Sequence, residues 1–321
     1  MCASFFLPRH NSFRRISRYP EPMNRENCPI AATTPIGHPQ ILKAAASNGF
    51  LGASARDAPR IMAALCQPGV DADQITALIS KEPSLYARVL RVANSAIYGQ
   101  SRAILRLDRA IVLLGLDSVR TIAAAACLDR TFKRTSANRL VDMGALMIHS
   151  QATAIAAQSL ARLQHPELAS EAFIAGLLHN LGIALQIQLD GPGVEAMIRE
   201  GREGAVRDMR ALETDCCMIG HEECIAVVFE AWKMPESLVA CVRHHHRPAD
   251  APEPYRSLAA LINLGASLAL ATGHTFTLEP APVARDQSAM ADLLLDEEAL
   301  DEVAASLPVR VAELGRALGT E

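Results

Sequence analysis

Large rings are scarce in this chain: aromatic residues make up 4% of its 321 positions, with a single tryptophan. Half of all residues are apolar, and alanine is abundant. Small side chains let helix backbones approach closely, which favours a packed helical bundle over a sheet sandwich. Strand-like alternation of apolar and polar residues is missing too, and that points the same way. The formal net charge is −4, whereas a nucleic-acid binder would need a concentrated basic face. No apolar run approaches the roughly 20 residues that span a bilayer, so a soluble protein without a membrane partner is expected. The eight cysteines are scattered, which fits free thiols in a reducing cytoplasm better than a disulfide framework. Glycine-rich phosphate loops, nucleophile elbows and Ser/His/Asp arrangements are absent, and with them most common enzyme classes. The expected fold is all-α.

Residues 1–51 read as a weakly ordered tail. Met1 to Ser17 holds no acidic residue and carries Arg9, Arg14 and Arg15, with Pro, Ser and Asn breaking any helical period. A disordered extension, or a start at Met23 in place of Met1, fits better than a targeting peptide, which would show an amphipathic helix. Helical spacing then sets in, with Ile61, Leu65, Ile75 and Leu78 around a Pro68-Gly69 turn. Pro83 opens a helix whose stripe is Leu85, Val89, Val92 and Ala96, with Arg88 and Arg91 off it and Gly99 as a stop. Tyr86, Asn94, Ser95 and Tyr98 either close that helix or line a pocket, and closure is the favoured reading because Asn and Ser suit helix ends.

Asp117 or Ser118 is expected to cap Val119 to Cys127. A longer helix is expected from about Asn138 to Leu163, with Leu140, Met143, Met147, Ala154, Ala157 and Leu160 inward and His149 beside that stripe. Ser170 and Glu171 supply start chemistry for a single helix from Glu171 to Gly182, and Gly191-Pro192-Gly193 reads as a turn. Further helices carry Ile225, Val228, Phe229 and Trp232, then Leu238, Val242 and His245. Others run from about Leu258 to Ala271 and from about Glu297 to Leu318, with Asp286 to Leu295 unassigned.

The stretch Glu171 to Gly182 delivers His179 and Asn180 into an apolar interior. His149, His179, Asn180, His221, His245 and His246, from separate helices, form the strongest candidate site. Clustered imidazoles with a carboxylate would suit a hydrolytic metal centre, but Asn180 offers only an amide, so satisfied core histidines are the competing reading. Cys217, His221 and Cys224, at steps of four and three, offer a zinc-ligand alternative completed by Cys216 or His245. Against it, small buried cysteines behave as ordinary apolar residues.

Glu82-Pro83-Ser84-Leu85 through Asn94-Ser95-Ala96-Ile97-Tyr98-Gly99, and Ala110-Ile111 through Leu114-Gly115-Leu116, resemble successive signatures of HDOD domains, the HD-related output domains of bacterial signalling proteins. Gly176-Leu177-Leu178-His179-Asn180-Leu181-Gly182 is similar to that family's central motif. Gly220-His221 through Trp232-Lys233-Met234-Pro235 to His245-His246-Arg247-Pro248 is similar to its end. The likeness covers residues 52–249, leaving 250–321 as a helical extension packed on the core.

The resemblance implies an all-helical bundle of the HD-domain type, descended from phosphohydrolases that hold metal through a histidine, a His-Asp doublet and a later aspartate. By position, His149 and His179 look like the two histidines. Asn180 replaces the doublet's aspartate, and Ala266 stands near the place of the later one. A non-catalytic, cytoplasmic regulatory module is therefore expected, without cofactor or metal, working through a protein partner or a nucleotide second messenger. The alternative is a metal-dependent phosphohydrolase on a nucleotide or cyclic dinucleotide, with Glu213 or Glu171 as a substitute ligand.

Overall fold

The computed structural model describes residues 61–94, 104–126, 141–203, 209–216, 219–279 and 283–318, with single gaps at 62, 66, 68, 117 and 121. The expected tail, with Met23, lies outside the described residues, as do Ser95 to Gly99, Cys127, Leu140 and Cys217. The described residues form an all-helical bundle. Their nearest approach to a strand is an isolated bridge between Phe276 and Glu279.

The first helices are α1 (Ala72–Ser80), α2 (Pro83–Ala93) and α3 (Leu107–Leu114). Asp71 starts α1 with a capping box, its side chain accepting from Gln74 N while Gln74 reaches back to Asp71 N. Ile75 and Ile79 are the buried pair of α1, and Leu78 is only partly covered. Pro83 does open α2, and Leu85, Val89 and Val92 are buried along it. Asn94 closes it: Nδ2 donates to Leu90 O and Ile104 O, and Oδ1 accepts from Ile104 N. Tyr86 OH donates to Leu105 O, so Tyr86 and Asn94 both tie α2 to the segment at Ile104 and Leu105. Helical residues continue between 116 and 126, where the alanines at 123–126 are fully buried.

The central post is α4 (Met143–Gln164), buried on nearly every side from Met143 to Ala161. Asp142 caps it, accepting from Ala145 N. Against α4 pack α5 (Ala169–Leu178), α11 (Glu253–Ala271) and α13 (Glu297–Leu318). Two glycines permit this closeness. A Cβ on Gly176 of α5 would lie 2.6 Å from Ala154 Cα, and one on Gly265 of α11 would lie 2.8 Å from Thr153 O. Side-chain-free positions thus meet α4 from two neighbours at one level. The C-terminal helices are walls of the same core, and Arg310 of α13 hydrogen-bonds Ser159 of α4.

Three sequence expectations are corrected here. Glu171 to Gly182 is not one helix: α5 ends at Leu178, His179 and Asn180 form a turn, and α6 runs Leu181–Leu189. Ser170 is not a cap, because a 3-10 turn at Pro166–Leu168 leads into α5 and starts it earlier. Gly191-Pro192-Gly193 opens α7 (Gly191–Glu203), with Asp190 Oδ1 accepting from Gly193 N; proline fits where helix N–H groups have no partner. The stretch Pro166–Leu189 is long and apolar enough to cross a bilayer, but most of it is buried in the bundle. That placement, and the turn dividing it, make it core.

The remaining helices are α8 (Met209–Asp215), α9 (His221–Ala231), α10 (Glu236–His244) and α12 (Gln287–Asp292), which lies within the unassigned stretch. α9 packs on α6 and α10, and α10 packs on α11.

A histidine cluster at four helix ends

The turn between α5 and α6 has a physical cause in His179. It occupies the C-cap of α5, and its ring Nδ1 lies 2.7 Å from Gly176 O, three residues back. The carbonyls of a last helical turn lack intrahelical partners, so the imidazole satisfies one of them. His245 repeats the device at the C-cap of α10, with Nδ1 2.8 Å from Val242 O. A carbonyl can only accept, so both rings carry hydrogen on Nδ1 and keep the Nε2 lone pair free. His149 does the same from α4, its Nδ1 2.9 Å from His274 O.

These side chains meet. Ring centroids lie 5.5 Å apart for His149–His179, 5.0 Å for His179–His245, 5.3 Å for His221–His245 and 4.2 Å for His245–His246. His149, His179, Asn180, His221 and His245 are buried, and His246 is partly covered. All six candidates belong to one cluster region, since Asn180 follows His179 in the same turn. Phe276 closes one end, its ring 5.0 Å from that of His149.

His221, the first residue of α9, is held differently. Glu213 Oε1 of α8 accepts from His221 N at 2.8 Å, from His221 Nδ1 at 2.9 Å and from Gln186 Nε2 at 2.7 Å. One buried carboxylate oxygen therefore caps α9, orients the imidazole and anchors α6. α6 must come close for this, and Gly182 allows it: a Cβ there would lie 2.0 Å from His221 O. Gln186 was not among the expected residues, although an amide inside Leu181-Gly182-Ile183-Ala184-Leu185 and Ile187 is the kind of buried polar group that needs partners.

Burial sets the protonation of the cluster. It pushes His149 down to about 4 despite the bond to His274 O. It also holds His179, His245 and His246 well below the usual imidazole range, helped by their mutual proximity. His221 goes the other way: burial opposes its charge, but the Glu213 carboxylate outweighs that and raises it. Four neutral rings thus surround one that favours a positive charge.

The ligand set of a two-metal phosphohydrolase does not fit these residues. Asn180 Oδ1 is buried and without a hydrogen-bond partner, and it brings no negative charge. At the level of Ala266, the nearby Asn263 donates its Nδ2 to His245 O. Glu171 accepts from Ser237 on α10. Glu213 and Glu222 are the carboxylates beside His221. Glu213 Oε1 already takes three donors while its Oε2 is buried without a hydrogen-bond partner, and Glu222 pairs with Arg210.

The zinc alternative through cysteine loses its geometric basis. His221 and Cys224 share α9, but the helix begins at His221 after the non-helical Ile219 and Gly220, so the one helical face expected to run back to position 217 is interrupted there. Burial raises the Cys224 thiol far above its ordinary value, as expected of an apolar packing residue. Among the described residues, the groupings able to hold a metal are His221 with His245 and His246, and Glu213 with His221 and Glu222.

Comparison with known proteins decides the lineage. The HDOD domain profile matches residues 54–248. The chain belongs to the HDOD family. A Treponema pallidum (strain Nichols) protein is 28% identical to this HDOD chain over 205 residues, 63% of this chain and 39% of the relative. The chain therefore spans about two-fifths of that relative's length.

Crystal structures show the same fold at low identity. An HDOD domain protein of Geobacter sulfurreducens superposes with a TM-score of 0.68 at 20% identity, covering 88% of this chain and 99% of that one. A candidate signal transduction protein of Marinobacter aquaeolei VT8 gives 0.69 at 24%, covering 92% and 68%. A candidate phosphohydrolase of Shewanella amazonensis SB2B gives 0.64 at 23%, covering 87% and 97%. The HDOD bundle described above is thus shared across proteins described in quite different terms.

Proposed function

We propose that this HDOD protein is a non-catalytic regulatory module of bacterial signal transduction, acting in the cytoplasm through contacts with a protein partner. The observation that carries the reading is the amide at Asn180, buried beside His179 with Oδ1 unpartnered. A phosphoryl-transfer centre needs anionic ligands to neutralise its ions and to clamp the developing charge. Neither Asn180 nor Ala266 supplies one, and Glu213 Oε1 is committed to His221 and Gln186. The description of the Marinobacter relative as a candidate signal transduction protein supports the same reading. A nucleotide second messenger is the small ligand such a module would sense; nucleic acid and membrane are not its partners on this reading.

A second reading, metal-dependent hydrolysis of a nucleotide or cyclic dinucleotide, draws on Glu213, a buried carboxylate beside His221 that is grouped with Glu222. Incubating the purified full chain with a chromogenic phosphodiester and added manganese separates the two. The proposal expects the rate of buffer plus manganese alone; turnover that disappears in Glu213→Gln would support the second reading.

A further inference from the structure

Among the described residues, two arginines meet where α4 and α13 pack, and neither has a carboxylate partner. Arg310 of α13 is half-buried and donates Nη1 to Ser159 Oγ of α4. Ser159 Oγ in turn donates to Ile155 O at 2.6 Å, so Arg310 leans on a neutral acceptor. Arg162 is three positions along α4 from Ser159 and on the same face. Burial, and then the charge of Arg162, lower the Arg310 guanidinium from its ordinary value, and Glu313 one turn along α13 only partly offsets them. The helix dipole favours one cation in the last turn of α4, which accounts for Arg162. It does not account for a second, half-buried cation beside it.

Apolar side chains flank the pair. Leu163 follows Arg162 and is 49% exposed, and Val309 precedes Arg310 and is 62% exposed. Acidic residues from the start of α13 are engaged elsewhere, since Glu297 and Asp301 both accept from Arg285. Charge names the occupant. The chain as a whole carries −4, so two adjacent uncompensated cations run against its general charge. A carboxylate reaching between them would gain charge-assisted hydrogen bonds from both guanidiniums. Apolar side chains one helical turn from that carboxylate would cover Leu163 and Val309.

From this arrangement we propose that Arg162, Leu163, Val309 and Arg310 form a docking surface for an acidic, amphipathic helical segment of a partner protein. Its regulatory role rests on the reading of this chain as a module that works through protein contacts. The HDOD profile ends at residue 248, so Val309 and Arg310 lie beyond it. Half of the surface therefore belongs to a part of the chain that the family signature does not describe, where partner choice is free to differ between HDOD proteins.

The test uses the full chain and a labelled helical peptide with Glu and Leu along one face, read by fluorescence anisotropy at low salt. The same peptide with Lys in place of Glu, and inorganic phosphate as competitor, are the controls. The proposal expects saturable binding of the acidic peptide, weakened by salt, and none of the Lys peptide. Arg162→Gln and Arg310→Gln should each weaken binding about tenfold, and Leu163→Ser and Val309→Ser should weaken it as well. Circular dichroism confirms folding; Arg162 is exposed, so its variant decides the matter even if Arg310→Gln unfolds. Any of four results would overturn the proposal: no saturable binding of the acidic peptide, equal binding of the Lys peptide, binding unchanged in Arg162→Gln, or phosphate competing as tightly as the peptide binds. A dimer in sedimentation that Arg162→Gln dissolves would also overturn it, by assigning the surface to a second copy of this chain. Phosphodiester turnover measured alongside keeps the two readings apart. Turnover would sink the non-catalytic reading and leave the surface standing; an inert chain that binds no acidic peptide would do the reverse.

Discussion

Glu213 and His221 are joined twice through one atom: Glu213 Oε1 accepts both the backbone N–H and the ring Nδ1–H of His221, with Gln186 Nε2 as a third donor. The pair is buried on both sides. Removing the carboxylate leaves both His221 N–H groups without an acceptor, and Gln186 Nε2 keeps only Ile219 O. Glu213→Ala should therefore lower stability by about 3–5 kcal/mol, the range for breaking one side of a buried pair. Glu213→Gln keeps an acceptor oxygen and should lose less, about 1–3 kcal/mol. Equilibrium denaturation of the three proteins checks the order; equal stability of wild type and Glu213→Ala would contradict it.

His149 makes stability depend on pH. Its folded value is pushed down to about 4 from the ordinary 6.5. The folded state therefore resists a proton that the unfolded chain accepts below about pH 6.5. Its full contribution is present above that pH, and stability falls between about pH 6.5 and 4, by up to about 1.4 kcal/mol per pH unit. Denaturant midpoints at pH 7.5, 6 and 5 should decline in that order. His149→Phe should flatten the slope, by removing a titrating group whose neighbour is already Phe276.

Close backbone approach at Gly182 and Gly176 predicts steric sensitivity. A methyl group on Gly182 meets His221 O at 2.0 Å, and one on Gly176 meets Ala154 Cα at 2.6 Å. Both contacts are to backbone, which cannot swing aside. Gly182→Ala and Gly176→Ala should each cost about 1–3 kcal/mol, typical of overpacking. Gly182→Ala should also shift the His221 ring resonances in an imidazole NMR spectrum, whereas Gly176→Ala, against α4, should shift them less.

The Asn94 staple is separable from the cluster. Asn94→Ala removes the acceptor for Ile104 N and the donors to Leu90 O and Ile104 O. Because the site is exposed, the expected loss is about 1 kcal/mol. Hydrogen exchange at the Ile104 amide should accelerate clearly, while amides of α4 keep their protection.

Much of this molecule could be read before its structure. Apolar periodicity placed α2, α4 and α13 to within a few residues, because each stripe faces a real neighbour. The histidines were named because polar residues stand out in apolar helices. Three features were hidden for physical reasons. The break at His179-Asn180 has no proline or glycine at the break itself; it arises because an imidazole takes over a backbone carbonyl, which only tertiary closure favours. Gly191-Pro192-Gly193 carries the same residues whether it makes a turn or begins a helix, and Asp190 decides between them. Glu213 acts at His221 across eight positions and Gln186 acts at Glu213 from another helix, so neither spacing follows a helical period.

The central claim is that the His179-Asn180 pocket does not hydrolyse phosphodiesters. Its most direct test is a single-turnover assay, with the full chain loaded with manganese or iron(II) and held in excess over a labelled cyclic dinucleotide. The account predicts no product beyond that formed with metal alone, and the same null result in His179→Ala. Product formed by the wild type and abolished in His179→Ala would contradict it.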